Sequence, residues 1–333
     1  MRVAMLDVSH WHVPLYVKAM VEQQVGVVAV SDPDSDVARA VAGRLGCAAY
    51  TDREVLLAKE SPDYVFAFGV HREMPRTAER LMRLGIPFAM EKPMGVRAAD
   101  LATLRAVQRE TGCHVSVPLV FPYGPLFRKV EALRASGAFG DPTNLYFRFI
   151  AGPPSRYPAA RCAWMLDPAS SGGGCTINLA VHFIDLALRL VRPRKVLRAY
   201  AALSNLRHGA AIEDFSTAVL DLEGGVVATV ETGYAFPPAA GRPRDLAYMI
   251  TTSKGYLDIR DDRLRWTPQE GAGLDEPVVA DTDPWYADFV RESLDAIRSG
   301  RPPMATVDDL HEVMRVVDAI YRSGSERRPV EIA

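Results

Sequence analysis

Over the first 120 residues, short and almost unbroken apolar runs alternate with longer stretches of helical spacing. The apolar runs are Val3–Leu6, Val25–Ser31, Tyr64–Phe68, Pro87–Met90 and His114–Leu119. Between them, Pro14 to about Gln24, Asp36–Leu45, Pro75–Leu84 and Ala98–Thr111 place apolar residues on one helical face. Pro14 suits a first helical turn, and Gly46, Gly85 and Gly112 stand where helices end. Strands that are apolar throughout, separated by helices, predict a parallel sheet covered on both faces.

The pattern changes after residue 119. A helix is expected over Leu126–Ser136 and an edge or sheet strand over Thr143–Ile150. Gly152–Ser171, rich in proline and small residues, reads as a long ordered loop over a site. Strands follow around Val196–Leu203, Phe215–Asp221, Val226–Tyr234, Ala247–Thr252 and Tyr256–Arg260, with Glu223-Gly224-Gly225 as a hairpin turn. Helices over Trp285–Ser299 and Val307–Ser323 come last. Consecutive strands without helices between them predict antiparallel pairing. The expected architecture is an α/β Rossmann domain over 1–119, then an α+β domain with an open, mostly antiparallel sheet over 120–333.

Composition narrows the function. The 333 residues are 48% hydrophobic and 24% charged, with a formal charge of −2. That balance supplies ample core and no electrostatic case for nucleic acid or an anionic membrane. The apolar runs read as too short to span a bilayer, and the N-terminus reads as a strand rather than a signal peptide. Four cysteines without CxxC spacing suit free, packed thiols in a reducing cytoplasm.

Two motifs carry candidate chemistry. Lys92 follows the run Pro87–Met90 and precedes Pro93, which disfavours helical geometry at Lys92 and holds it extended at a strand's carboxyl end. Open parallel sheets bind ligands at that edge. A partly desolvated lysine there can donate a hydrogen bond to a substrate oxygen and exchange a proton. About eighty residues on, Gly172-Gly173-Gly174 leads into a helix with Asn178 and His182 four apart, hence on one face. His182 suits acid–base work on a secondary alcohol, because its intrinsic pKa lies near neutrality. Taken singly, Lys92 also reads as a surface lysine paired with Glu91, and His182 as a core histidine.

Glu91-Lys92-Pro93, Trp164-Met165-Leu166-Asp167-Pro168 before the glycines, and the ending Ile297-Arg298-Ser299-Gly300-Arg301-Pro302-Pro303 with Ala319–Ser323 occur in a telling order. Together they resemble the Gfo/Idh/MocA oxidoreductase family across nearly the whole chain. The resemblance implies hydride transfer between NAD(P) and a sugar or cyclitol, with Lys92 handling a proton beside a supporting Glu91. It also implies association through the open sheet into a homodimer or homotetramer. Asn178 stands where many members carry aspartate. Its neutral amide cannot take up a proton, so proton transfer would fall to His182 and Lys92, leaving Asn178 to hydrogen-bond a substrate hydroxyl.

The phosphate turn departs from the expected pattern. Asp7, Ser9 and His12 stand where a dinucleotide turn has glycines. Ser9, His10, Trp11 and His12 are candidate cofactor contacts at the start of the following helix. Asp32, ending the second strand, can bind both ribose hydroxyls and disfavours a 2′-phosphate, so NAD is expected over NADP. It could equally be a turn residue in Ser31-Asp32-Pro33-Asp34. The resemblance places His71 beside the cofactor, with Glu91 and Lys92. On the substrate side the candidates are Tyr123, Arg156, Tyr157, Trp164 and Asn178, although the loop residues among them could be anchors instead.

The leading expectation is an NAD-dependent dehydrogenase or reductase acting on the CH–OH group of a sugar-like substrate in the cytoplasm, with no metal, nucleic acid or membrane. Two alternatives remain. One is a nucleotide- or sugar-binding sensor without turnover. The other is a metal-dependent enzyme using His10, His12 and His71.

Overall fold

The computed structural model describes residues 1–332. Two compact units emerge. The first combines Met1–Pro118 with Ser155–Gly172 and Asp283–His311; the second combines Leu119–Pro154, Gly173–Thr282 and the residues from Glu312 on.

In the first unit, β1 (Val3–Leu6), β2 (Val27–Ser31), β3 (Ala48–Tyr50), β4 (Tyr64–Ala67), β5 (Phe88–Met90) and β6 (Val115–Ser116) form a sheet of order β3-β2-β1-β4-β5-β6. Every pair is parallel. The strand order reverses between β1 and β4, which makes their carboxyl ends the topological switch point. β1, β4 and β5 are buried at every position, as a sheet covered on both faces requires. The expected helices form within one to two residues of their predicted ends, and Gly46 and Gly112 adopt the left-handed cap conformation. β3 and the helix Arg53–Glu60 were not anticipated. β3 has no buried residue, and only Leu56 and Leu57 of that helix are buried, so neither produces an apolar run. The helix Trp285–Arg298 also belongs to this unit, packing Tyr286 and Phe289 on Tyr16.

In the second unit, β7 (Pro142–Ala151), β8 (Val196–Ser204), β9 (Phe215–Leu222), β10 (Val226–Gly233), β11 (Arg244–Thr252), β12 (Gly255–Arg260), β13 (Arg263–Pro268), β14 (Leu274–Pro277) and β15 (Val330–Glu331) form one sheet. Its order is β14-β13-β12-β11-β7-β10-β9-β8-β15, and among these pairs only β7 with β10 is parallel. β7 is an interior strand rather than an edge. The helix Val181–Val191 buries Phe183 among Phe147, Phe149 and Tyr248. The stretch Pro168–Val191 is, against expectation, long and apolar enough to cross a membrane, but it lies mostly buried inside the protein.

Candidate active site

At the carboxyl end of β5, Glu91 and Lys92 are both 1% exposed. Glu91 Oε1 accepts from the Tyr16 hydroxyl at 2.8 Å and lies 3.1 Å from His12 Nδ1, while Oε2 is buried without a partner. Burial pulls the Lys92 ammonium down to about 8; Arg156 adds to that fall and Glu91 opposes it. Burial and Glu91 both hold the Tyr16 hydroxyl well above its usual range, so it stays a donor.

The turn after β1 satisfies its own amides. Asp7 takes a left-handed φ of 56° and pairs with Arg53, although burial still raises its carboxyl above the usual range. Ser9 donates from its amide (2.6 Å) and hydroxyl (2.8 Å) to the Asp32 carboxylate, which also accepts from the Asp34 amide at 2.9 Å. Asp32 is only 2% exposed. The Trp11 amide bonds the Cys162 sulfur, the His12 amide donates to His10 Nδ1 at 3.2 Å, and the Val13 amide to the His10 carbonyl at 3.0 Å. The helix begins only at Val13, with His12 as its N-cap. Asp32 thus fixes the Ser9 turn at the end of β2.

Hydrogen bonding fixes two histidine tautomers. His10 Nδ1 accepts from an amide, so its ring proton sits on Nε2. His71 Nδ1 lies 2.8 Å from the Ser171 carbonyl, which can only accept, so His71 Nε2 carries a lone pair. Both Nε2 atoms are buried without partners. Burial pulls His71 down to about 3 and His10 well below its usual range, so both rings are neutral. Among the described residues no group of three or more His, Cys, Asp or Glu side chains is arranged to hold a metal ion. The Nδ1 atoms of His10, His12 and His71 are turned to an amide, a carboxylate and a carbonyl.

Three residues expected to meet substrate pack on this turn. The Arg156 guanidinium stands 5.2 Å over the Trp11 ring, and Tyr157, fully buried, meets Trp11 edge-on at 5.9 Å. Trp164 packs 6.0 Å from His10 and 4.8 Å from His71 between ring centroids. They fall here because Ser155–Gly172 belongs to the first unit.

The second unit carries the other motif. Gly173 has φ +147°, and a Cβ there would stand 2.0 Å from the Tyr321 hydroxyl; at Gly174 it would stand 2.0 Å from the Glu213 carbonyl. Only glycine fits. Glu213, which the sequence reading missed, accepts from the amides of Gly174 (2.8 Å) and Thr176 (2.9 Å) and from the Tyr321 hydroxyl (2.9 Å). No local pattern marks it. Asn178, buried, lies in a π-helical turn, Thr176–Ala180, and donates to the Tyr234 hydroxyl at 3.0 Å. The wider turn means that Asn178 and His182 do not share one regular α-helix, as their spacing suggested. His182 is partly exposed, 6.2 Å from the Phe121 ring. Tyr123 closes the 3-10 turn Phe121–Tyr123, also partly exposed.

Comparison with known proteins agrees with this fold. Residues 12–119 match the oxidoreductase family, NAD-binding Rossmann fold, and residues 127–258 match the GFO/IDH/MocA C-terminal domain. The chain belongs to the Gfo/Idh/MocA family of oxidoreductases. Its Rossmann domain is the family's NAD-binding domain, yet the match begins at His12 and leaves out β1 and most of the turn that lacks glycines. A D-apiose dehydrogenase from Paraburkholderia graminis is 25% identical over 92% of this chain and 83% of its own length. A D-xylose 1-dehydrogenase (NADP(+)) from Haloferax volcanii is 27% identical over 91% of each chain. The structure of an Agrobacterium radiobacter oxidoreductase in complex with NAD+, L-tartaric acid and magnesium superposes with a TM-score of 0.87 at 18% identity, covering 100% of this chain and 98% of that one. At that identity the likeness is one of fold.

Proposed function

We propose that the protein is an NAD-dependent dehydrogenase that oxidises a secondary hydroxyl of an aldose- or cyclitol-like substrate, or reduces the corresponding ketone. The observation that carries this reading is Lys92, buried to 1% at the ligand edge of the sheet with its pKa drawn down to about 8. NAD, when bound, supplies the hydride acceptor. Neutral Lys92 takes the hydroxyl proton during oxidation, and its ammonium returns one during reduction. Glu91, fixed by Tyr16 and His12, favours the ammonium once formed. Unpartnered Glu91 Oε2 and His71 Nε2 leave polar capacity beside Lys92 for a bound group. His182 is proposed as a second proton-handling group and Asn178, steadied by Tyr234, as a hydroxyl contact. The Asp32 charge at the end of β2 favours NAD over NADP.

The two named sugar dehydrogenases support an aldose-like substrate. Assembly through the open sheet is proposed from its exposed apolar side chains, which include Leu197, Tyr200, Val219 and Val227. Four free cysteines fit a cytoplasmic setting. The self-satisfied turn favours a second reading, a nucleotide- or sugar-binding sensor without turnover.

Calorimetric titration of cofactor-stripped protein with NAD, NADH, NADP and NADPH separates the two, followed by NADH formation on a panel of aldoses and inositols. Micromolar NAD binding with turnover that disappears in Lys92→Ala is the expected result. Binding of none of the four overturns the dehydrogenase, and turnover that survives Lys92→Ala removes the assignment of Lys92.

A further inference from the structure

Behind Lys92, four side chains from three segments meet. Glu91 follows β5, His12 is the N-cap of the first helix, Tyr16 lies one turn further along that helix, and Tyr286 stands near the start of the helix Trp285–Arg298. All four are buried. They converge on one carboxylate oxygen. Glu91 Oε1 accepts from the Tyr16 hydroxyl at 2.8 Å and meets His12 Nδ1 at 3.1 Å, and the Tyr286 hydroxyl lies 3.2 Å from the same Nδ1. A carboxylate only accepts, so Nδ1 carries the ring proton and donates it. The His12 ring packs on Trp11 at 3.9 Å and on Tyr286 at 4.9 Å between centroids, which holds its Nδ1 toward Glu91.

Glu91 is anchored through that one oxygen, because Oε2 is buried without a partner. The groups that face Lys92 from the surrounding segments are Glu91, Arg156 and the neutral rings of His10 and His71. Of these four, Glu91 alone is an anion. Its placement therefore governs how much support the Lys92 ammonium receives.

We propose that His12 is a positioning residue for proton transfer: its side chain fixes the Glu91 carboxylate beside Lys92 and, through it, sets how firmly Lys92 holds its proton. The inference rests on the reading of Lys92 as the proton-handling residue of a dehydrogenase. The His12 backbone belongs to the turn after β1, whereas its side chain acts at the end of β5. Without that side chain, Glu91 keeps only the Tyr16 anchor and its charge is less well placed. Lys92 should then release its proton at lower pH, and the pH limb of turnover should move with it.

The test follows Lys92 directly in the full, cofactor-free chain. The sequence has six lysines, so protein labelled with 13C at lysine Cε gives few NMR signals, and the one lost in Lys92→Met is assigned. That signal should titrate near pH 8 in the unsubstituted protein and about one pH unit lower in His12→Leu. His12→Asn carries an amide nitrogen one bond beyond Cγ, as Nδ1 is carried, and should restore the unsubstituted midpoint. His12→Gln carries it one bond further out and should behave like the leucine variant; its polar side chain keeps the test alive if His12→Leu does not fold. Glu91→Gln should lower the midpoint at least as far, and adding His12→Leu to it should change nothing more, because the two residues act as one unit. A midpoint unmoved in His12→Leu and His12→Gln overturns the proposal, and so does a full further shift in the double variant. NADH formation by the same proteins on aldoses and inositols separates the two readings. A shifted midpoint with an unmoved pH limb of kcat sinks the role of His12 alone, whereas no turnover by the unsubstituted chain sinks both.

Discussion

The carboxyl ends of β5 and β1 lie on one sheet edge and are built in opposite ways. At β5, Glu91 and Lys92 are both buried, and burial draws the Lys92 ammonium down to about 8. At β1 the glycines are absent and the amides bond to Asp32, Cys162 and His10. On the proposed reading, the β5 end carries the proton transfer through Lys92. On the same reading, the amides of the turn after β1 contribute binding rather than chemistry. The difference separates the two ends: turnover should depend on β5, and cofactor affinity on β1.

The largest expected effect breaks the comparison if it fails. Lys92→Met should lower turnover by roughly 10²–10⁴-fold, the range for a lost general acid–base, while the Kd for NAD stays within about threefold. Steady-state kinetics beside calorimetry would show it, and an unchanged turnover would leave β5 no more chemical than β1.

A smaller effect concerns stability. The folded pKa of Lys92, about 8, lies below its ordinary 10.5, so the unfolded chain binds more protons between those values. Stability of the unsubstituted protein should therefore rise as pH climbs from 8 to 10.5. Below pH 8, Lys92→Met should be the more stable protein, by about 3 kcal/mol at most, and the gap should close as pH rises through the window. Urea unfolding of both proteins at pH 7, 9 and 10.5 measures this; a constant gap would mean that the buried ammonium is not strained.

The smallest effect lies at the turn. Ser9→Ala deletes the hydroxyl bond to Asp32, which should cost about 1 kcal/mol of stability and change NAD affinity without touching kcat. A fall in kcat with unchanged affinity would merge the two ends into one functional site.

Whatever depends on near neighbours is legible in the chain before it folds. The apolar run Val3–Leu6, the helix Ala98–Thr111 with its cap at Gly112, and Lys92 at a strand end follow from burial periodicity and from the restricted backbones of glycine and proline. Where that periodicity is weak, as in β3 or the helix Arg53–Glu60, local reading misses the element. Tertiary structure alone decided the partners. Asp32 lies 23 residues from Ser9, Glu213 39 from Gly174 and Cys162 153 from Ser9, and no local pattern encodes which distant donor a side chain will meet. Burial of Lys92, the tautomers of His10 and His71, and the packing of Trp164 on the turn arise only when separate segments exclude water together, because desolvation and hydrogen-bond pairing belong to the folded assembly rather than to any stretch of chain.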